Sequence, residues 1–328
     1  MSKTILVTGA AGFIGSHVVQ SLLARGDSVI ALDNFNDYYS PERKRANLAE
    51  VSRSCAGTGR LSVIEGDIRD RNEALFARQP LNAVVHLAAM AGVRASTADP
   101  HLYYDVNLAG TLNLLDSARK HSVGNFVFAS TSSVYGNARQ LPFIETDPCD
   151  RPLAPYAASK RAAEQLGFTF HHLYGLSFTA LRFFTVYGPR NRPDMMAYKV
   201  VDNIFFQREV PLYDNGRMRR DWTFISDIVA GVTAAVDRPL GYEIINLGRG
   251  QPVLLSKFVR LIEELAGRKA DLVPAPMPET DVPATFADIS KAARLLDYHP
   301  TISVEAGVTA FWEWYEEAVL GLEAQKAV

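Results

Sequence analysis

Residues 4–23 read TILVTGAAGFIGSHVVQSLL: a short apolar, β-branched run that breaks into glycines and continues at once as a helical pattern. The glycines fall at Gly9, Gly12 and Gly15, a GxxGxxG spacing. Few arrangements need glycine three times where a strand turns into a helix. Glycine permits the tight turn and lets backbone N–H groups approach a pyrophosphate, which then faces the helix N-terminus. The segment therefore predicts the first βα unit of a dinucleotide-binding fold.

The following hundred residues repeat that theme. SVIALD, LSVIEGD, AVVHLA and NFVFAS are short runs rich in Val, Ile, Leu and Phe, as expected of strands covered on both faces. Helix-length segments such as GSHVVQSLLARG and YDVNLAGTLNLLDSARK lie among these runs. Alternating βα units predict an α/β fold with a Rossmann-type, doubly wound parallel sheet. After about residue 180 prolines and short mixed elements take over, with a helical SKFVRLIEELAG and a strand-like YEIINLG among them. The expected division is a Rossmann domain over residues 1–182, with return segments around 221–248. A smaller α/β lobe over 183–328 would close on the carboxyl end of the sheet.

Bulk properties exclude other classes. A formal net charge of −2 on 328 residues gives no basis for nucleic-acid or anionic-membrane binding. Two cysteines, Cys55 and Cys149, are too few for a disulfide framework, and with seven scattered histidines they suggest no metal site. The amino terminus does not read as a signal peptide, and no window reaches membrane-spanning length. The expectation is a cytoplasmic protein with reduced thiols.

Two further signals specify chemistry. Asp33 ends the second run about 20 residues past the glycines. A carboxylate there accepts the adenosine ribose hydroxyls and repels a 2′-phosphate, favouring NAD over NADP. Asp67, at the end of the third run, can face the adenine or cap the helix after it. PYAASK places Tyr156 and Lys160 four apart, on one face of a helix. A free tyrosine is a poor base at neutral pH, but a nearby ammonium favours its phenolate, which can take a proton from an alcohol.

TGAAGFIGSH, HLAAMAGVR, STSSVYG, PYAASK and RRDWTFISDI, in that order, resemble the extended short-chain dehydrogenase/reductase family, and within it the nucleotide-sugar epimerases. The resemblance spans essentially the whole chain. It implies tightly held NAD that is regenerated in each cycle, a UDP-sugar substrate and a homodimer. Thr131, Tyr156 and Lys160 would take the catalytic roles. The cofactor would be bound by Gly9, Gly12, Phe13, Ile14, Gly15, Asp33, Asn34, Asn36, Lys44, Asp67, Ile68, Leu87, Ala88, Ala89, Tyr156 and Lys160.

FASTSSVYG carries four consecutive hydroxyls, Ser130 to Ser133, at a strand end. Within the family, sugar 4,6-dehydratases carry Asp-Glu after the catalytic threonine and UDP-glucuronate decarboxylases carry Ser-Glu. This chain has Ser132-Ser133, so the resemblance implies epimerisation at C4 through a transient ketone. DNFNDYYSPERKRANL and RFFTVYGPRNRPDMMAYK are similar to the UDP-glucuronate 4-epimerases. A glucuronate oxidised at C4 is a β-keto acid, prone to lose CO₂. Hydroxyls of Thr131, Ser132, Ser133 and Thr185 can hold its carboxylate in a polar setting without repelling it. Further substrate contacts implied are Arg94, Tyr213, Arg220 and Asp281, with the PMPETD loop departing from the family pattern. Arg192 reads equally as a ligand of the sugar or a surface arginine. His17, His86, Phe183 and Phe184 read as structural, Phe183 beside the nicotinamide, and FWEWYEEA as an amphipathic helix covering the lobe.

The rivals are a 4-epimerase of UDP-glucose or UDP-N-acetylglucosamine, a UDP-glucuronate decarboxylase, and a non-enzymatic NAD-binding sensor. The retained Thr131, Tyr156 and Lys160 count against the sensor.

Overall fold

A computed structural model describes residues 2–138 and 140–320. Five of the apolar runs form β1 (Thr4–Thr8), β2 (Ser28–Asp33), β3 (Leu61–Glu65), β4 (Ala83–His86) and β5 (Asn125–Thr131), and a further apolar stretch forms β6 (Phe178–Phe183). With the strand Tyr242–Leu247 they make a seven-stranded sheet in the order β3-β2-β1-β4-β5-β6, then Tyr242–Leu247. Every pairing in it is parallel. The strand order reverses between β1 and β4, so a crevice opens at their carboxyl ends.

Both faces of this sheet are covered along its inner strands, as their near-continuous apolar runs require, whereas LSVIE, expected to be covered too, forms the edge strand β3 and leaves Val63 47% exposed. Ile5 and Val7 pack on one side with Val18, Val19 and Leu22 of α1 (Phe13–Ala24) and with Ile228 and Val232 of the helix Ile225–Asp237. Leu6, on the opposite face, packs with Val84, Leu114, Leu115 and Phe126. Residues after 220 thus return to the sheet, contributing a face-covering helix and its last strand.

The helix Ser290–Leu296 also packs Ala292 and Leu296 with the sheet cluster, while most of the other carboxyl-terminal elements surround a separate apolar cluster. Val200, Val201, Trp222, Phe258, Phe311 and Tyr315 are all buried within it, and Trp222 stacks on Phe258 at 4.0 Å between ring centroids. The helix Val304–Tyr315 carries most of FWEWYEEA and buries Phe311, Trp312 and Tyr315, matching the amphipathic reading.

One helix departs from expectation. YDVNLAGTLNLLDSARK is not a single regular helix: Asp105–Gly110 is π-wound, and a regular helix resumes at Thr111–Lys120. The wider winding accompanies Asn107, which is fully buried. Its amide donates to the Met90 carbonyl (2.9 Å) and Ser159 Oγ (3.0 Å), while its oxygen accepts from Met90 N (2.8 Å). A helical residue thereby ties the loop after β4 to the helix Pro155–Tyr174, which carries Tyr156 and Lys160. Such π-bulges commonly mark functional sites.

Candidate active site

Three adjoining clefts lie over the carboxyl ends of the strands. The first, about 1110 Å³, begins at the glycine turn. Gly9 sits at φ +66°, and a Cβ there would lie 2.7 Å from Ala88 N; a Cβ on Gly15 would lie 2.0 Å from Gly9 O. Neither position admits a side chain. At the start of α1, Gly12 is the N-cap and provides no side-chain hydrogen bond, so the first amides of that helix are free to meet an anion.

Asp33, buried at the end of β2, accepts from Ala11 N and Phe35 N, both at 2.9 Å. These bonds orient the carboxylate while leaving lone pairs for further donors. Burial raises its pKa, against the pull of those two amides. Lys44 is also buried and donates to the backbone and side-chain oxygens of Asn36, each at 2.6 Å. Asp67 accepts from Arg69 and, at 2.9 Å, from Asn34, and Arg69 holds its carboxyl down at about 2. The helix Glu73–Ala77 has Asn72 as its N-cap. Asp67 therefore does not cap that helix; it lines the first cleft. Phe13, Ile14, Ile68, Leu87, Ala88 and Ala89 line the same cleft. The structure thus brings every sequence-predicted cofactor residue into one crevice, and its shape and donors fit a dinucleotide.

Ser130, Tyr156, Phe183 and Arg192 line both the first cleft and the second. Thr131, Ser132, Ser133 and Thr185 line the second. Thr131, at the tip of β5, accepts from Ser133 N at 3.1 Å and donates to Ser133 Oγ at 3.2 Å. Ser130 differs from the hydroxyls after it: it donates to the buried Glu164 at 2.5 Å. Glu164 in turn pairs with Arg182 at 2.8 Å, and both are fully buried.

The tyrosine–lysine pair shows a different balance from the one expected. Burial raises the pKa of Tyr156, outweighing the Thr131 hydrogen bond and the Arg192 charge that lower it. Lys160 is 2% exposed, with its Nζ 4.2 Å from the Phe128 ring centroid. Desolvation brings its pKa down to about 7, although Glu164 pulls the other way. Placing an ammonium in so dry a site disfavours the charge that was expected to stabilise the phenolate.

The third cleft carries the basic groups. Arg94 reaches Tyr213 Oη at 2.9 Å and Asp281 Oδ2 at 2.8 Å, and lies over the Tyr213 ring at 4.4 Å. Arg220 Nη2 stands 3.7 Å from the same Asp281 oxygen and, with Thr185, borders both the second and third clefts. Two guanidiniums around one carboxylate leave net positive charge, suited to a diphosphate. Arg217 is exposed and paired with Asp214, and Arg219 is exposed.

Arg192 is not a surface arginine; it borders two clefts and is held by Asp194. His86 is fully buried between Thr8 Oγ1 (2.7 Å) and Thr111 Oγ1 (2.9 Å), and His17 meets the Pro189 carbonyl at 3.0 Å. Both are structural, as expected. Sequence reading missed Tyr38, Tyr103, Asn107, Glu164 and Asp194. Glu164 carried a signal, lying one turn beyond Lys160 on the same helix, and Asp194 stood two residues from Arg192. Tyr38 lay in the DNFNDYYSPERKRANL stretch that carried the resemblance, and Tyr103, whose hydroxyl donates to the Ala91 carbonyl at 2.8 Å and whose ring meets that of Tyr156 edge-on at 6.2 Å, gave none.

Comparison with known proteins agrees with this geometry. Residues 5–248 match the model of the NAD dependent epimerase/dehydratase family. A UDP-glucuronate 4-epimerase of Thermodesulfobacterium geofontis is 42% identical over 317 residues, covering 96% of each chain. The crystal structure of a Bacillus cereus UDP-glucuronic acid 4-epimerase with UDP-glucuronic acid and NAD superposes with TM-score 0.88 at 32% identity, over 96% of this chain and 99% of that one. A Thermotoga maritima UDP-glucose 4-epimerase with UDP-glucose also gives TM-score 0.88, at 31% identity and the same coverage, so fold alone does not separate the two substrates. On the family match and the full-length relatives, this chain belongs to the NAD dependent epimerase/dehydratase family.

Proposed function

We propose that the protein is an NAD-dependent epimerase that interconverts UDP-glucuronate and UDP-galacturonate at C4. The observation that carries the choice of substrate is the hydroxyl chamber. Thr131, Ser132, Ser133 and Thr185 share one cleft with Arg192, and neither position after Thr131 bears a carboxylate. The relatives named for UDP-glucuronate support the same choice.

Residues of the first cleft would hold NAD: the glycine turn and α1 N-terminus at the pyrophosphate, Asp33 at the adenosine ribose, Lys160 and Phe183 toward the reacting end. When bound, NAD supplies an acceptor and donor of hydride. Tyr156, its own proton passed to the neutral form of Lys160, would take the proton of the C4 hydroxyl as the alcohol becomes a ketone and return it afterwards. Thr131, its hydroxyl turned from Ser133 toward Tyr156, would donate to the phenolate and steady it. Lys160, neutral or charged near pH 7, is poised to gain its proton when negative charge develops on the neighbouring phenol. Arg94, Arg220 and their neighbours anchor the diphosphate, so the sugar can turn about that anchor and present its other face. The hydroxyl chamber keeps the uronate carboxylate hydrogen-bonded throughout, opposing loss of CO₂.

The division into a dinucleotide domain, residues 1–182 with returns at 221–248, and a UDP-sugar lobe over 183–328 is supported by the separate apolar clusters, although Val186, Ala292, Leu296 and Tyr298 pack in the sheet cluster and Trp222 in that of the lobe. A homodimer is supported by the exposed apolar side chains Tyr104, Leu112, Phe168 and Leu173 on neighbouring helices. Its test is molar mass by light scattering. A cytoplasmic location accords with two free cysteines. Among the described residues no helix is long and apolar enough to cross a membrane.

The deciding experiment is proton NMR of the purified protein with UDP-glucuronate and no added cofactor. A growing UDP-galacturonate signal supports the assignment and shows that NAD is retained. Release of CO₂ with a pentose nucleotide makes it a decarboxylase. Conversion of UDP-glucose alone removes the role given to the hydroxyls.

A further inference from the structure

Resting on that reading, we propose that Asp194 is a positioning residue that occupies one edge of the Arg192 guanidinium, so that the substrate carboxylate meets a weakened cation and can both bind and turn. Arg192 Nε donates to Asp194 Oδ1 at 2.9 Å and Nη2 donates to Oδ2 at 2.8 Å. This is the parallel, two-bond geometry with which arginine grips a carboxylate. The edge of Arg192 best suited to a uronate is thus already filled by a carboxylate of the chain itself. Nη2 also stands 3.6 Å from Met195 Sδ, which leaves Nη1 for the substrate, on a cation whose charge is largely balanced.

Asp194 is held in turn. The Tyr38 hydroxyl donates to Oδ2 at 3.2 Å, and Tyr38 lies in the segment after β2 that begins with Asp33. Arg192 also lies over the Tyr38 ring at 5.7 Å. Burial pushes the Asp194 carboxyl up, but the hydrogen bonds and charge of Arg192 outweigh it and leave it below the usual range. Asp194 therefore stays ionised at neutral pH, and the clamp persists.

The chemistry calls for such restraint. An epimerase must release the sugar from one orientation and accept it in the other, within one closed pocket. A free guanidinium would form two charge-assisted bonds to the carboxylate and hold one orientation. Binding the substrate more tightly than the transition state lowers kcat. Hydroxyls make weaker bonds that exchange easily, and Asp194 prevents Arg192 from overriding them.

The test measures Kd by calorimetry in a Tyr156→Phe background of the holoenzyme, where substrate is not consumed, and kinetics in the active background. Asp194→Asn, with Asp194→Ala as a second variant, is expected to tighten UDP-glucuronate on the order of tenfold, the worth of one added charge-assisted bond. UDP-glucose affinity should be unchanged, and kcat and KM for the uronate should fall together. The gain should vanish when Arg192→Met is added, which a double-mutant cycle reads directly. If the variants lose both nucleotides alike, or weaken the uronate, Asp194 merely braces the loop and the proposal is overturned. If wild type leaves UDP-glucuronate unconverted while the binding contrast holds, the proposed activity fails and the tempering of Arg192 stands.

Discussion

Replacing Lys160 with methionine should stabilise the dinucleotide-free protein at low pH while removing its activity. Methionine keeps an unbranched, polarizable stem against Phe128, so the change is chiefly the loss of a buried charge. The lysine pKa falls from its ordinary 10.5 to about 7 through desolvation. The sign follows from proton counts. Between those two values the unfolded chain holds the proton and the folded chain has released it, so wild-type stability climbs with pH across that window. Below about pH 7 both states are protonated and the full cost of the buried ammonium is present. Each pH unit inside the window is worth about 1.4 kcal/mol. From pH 6 to pH 9 the native state of wild type should therefore gain about 2–3 kcal/mol that the variant does not. Urea unfolding of both proteins, stripped of dinucleotide, at several pH values measures this as a difference in which other titrating groups cancel. Lys160→Met should be the more stable protein at pH 6, with its advantage shrinking steadily toward pH 9. A difference that stays flat across the range would show that Lys160 titrates as an ordinary lysine, and the account of its poised charge would be wrong.

Other perturbations address the remaining parts of the site. Tyr156→Phe should lower turnover by about 10²–10⁴-fold while the dinucleotide stays bound, as read by absorbance of the denatured supernatant; retained activity would refute its role as base. Ser133→Glu should raise KM for UDP-glucuronate on the order of tenfold through like-charge repulsion, with UDP-glucose affected far less. Equal uronate kinetics would rule out the carboxylate cradle. Gly15→Ala would drive a methyl against the Gly9 carbonyl, 2.0 Å from the ideal Cβ. It should cost roughly 1–3 kcal/mol of stability and abolish dinucleotide retention. A variant purified with a full complement of NAD would show that the turn is looser than its geometry.

Much of this protein was determined along the chain itself. The apolar runs are five to seven residues long and β-branched, and no arrangement buries such strands on both faces as well as a parallel sheet. The glycine spacing places a phosphate cradle at the first turn: Gly15 is excluded from bearing a side chain by Gly9 and Ala10, near in sequence, whereas the atoms that exclude one at Gly9 belong to Leu87 and Ala88, just past β4. Tyr156 and Lys160 share a helix face by periodicity alone. Gly15 and the Tyr156–Lys160 pair depend on neighbours within a few residues, so a one-dimensional reading captures them. What tertiary structure decided were balances between groups far apart in the chain. Lys160 is depressed because Phe128 and its surroundings exclude water. Ser130 left the hydroxyl cluster because Glu164, 34 residues on, captured it. Arg192 became a clamped cation because Tyr38, from the far side of the cofactor site, braces Asp194 across 156 residues. Desolvation and buried ion pairs depend on what fills the space around a group, and only the folded chain specifies that.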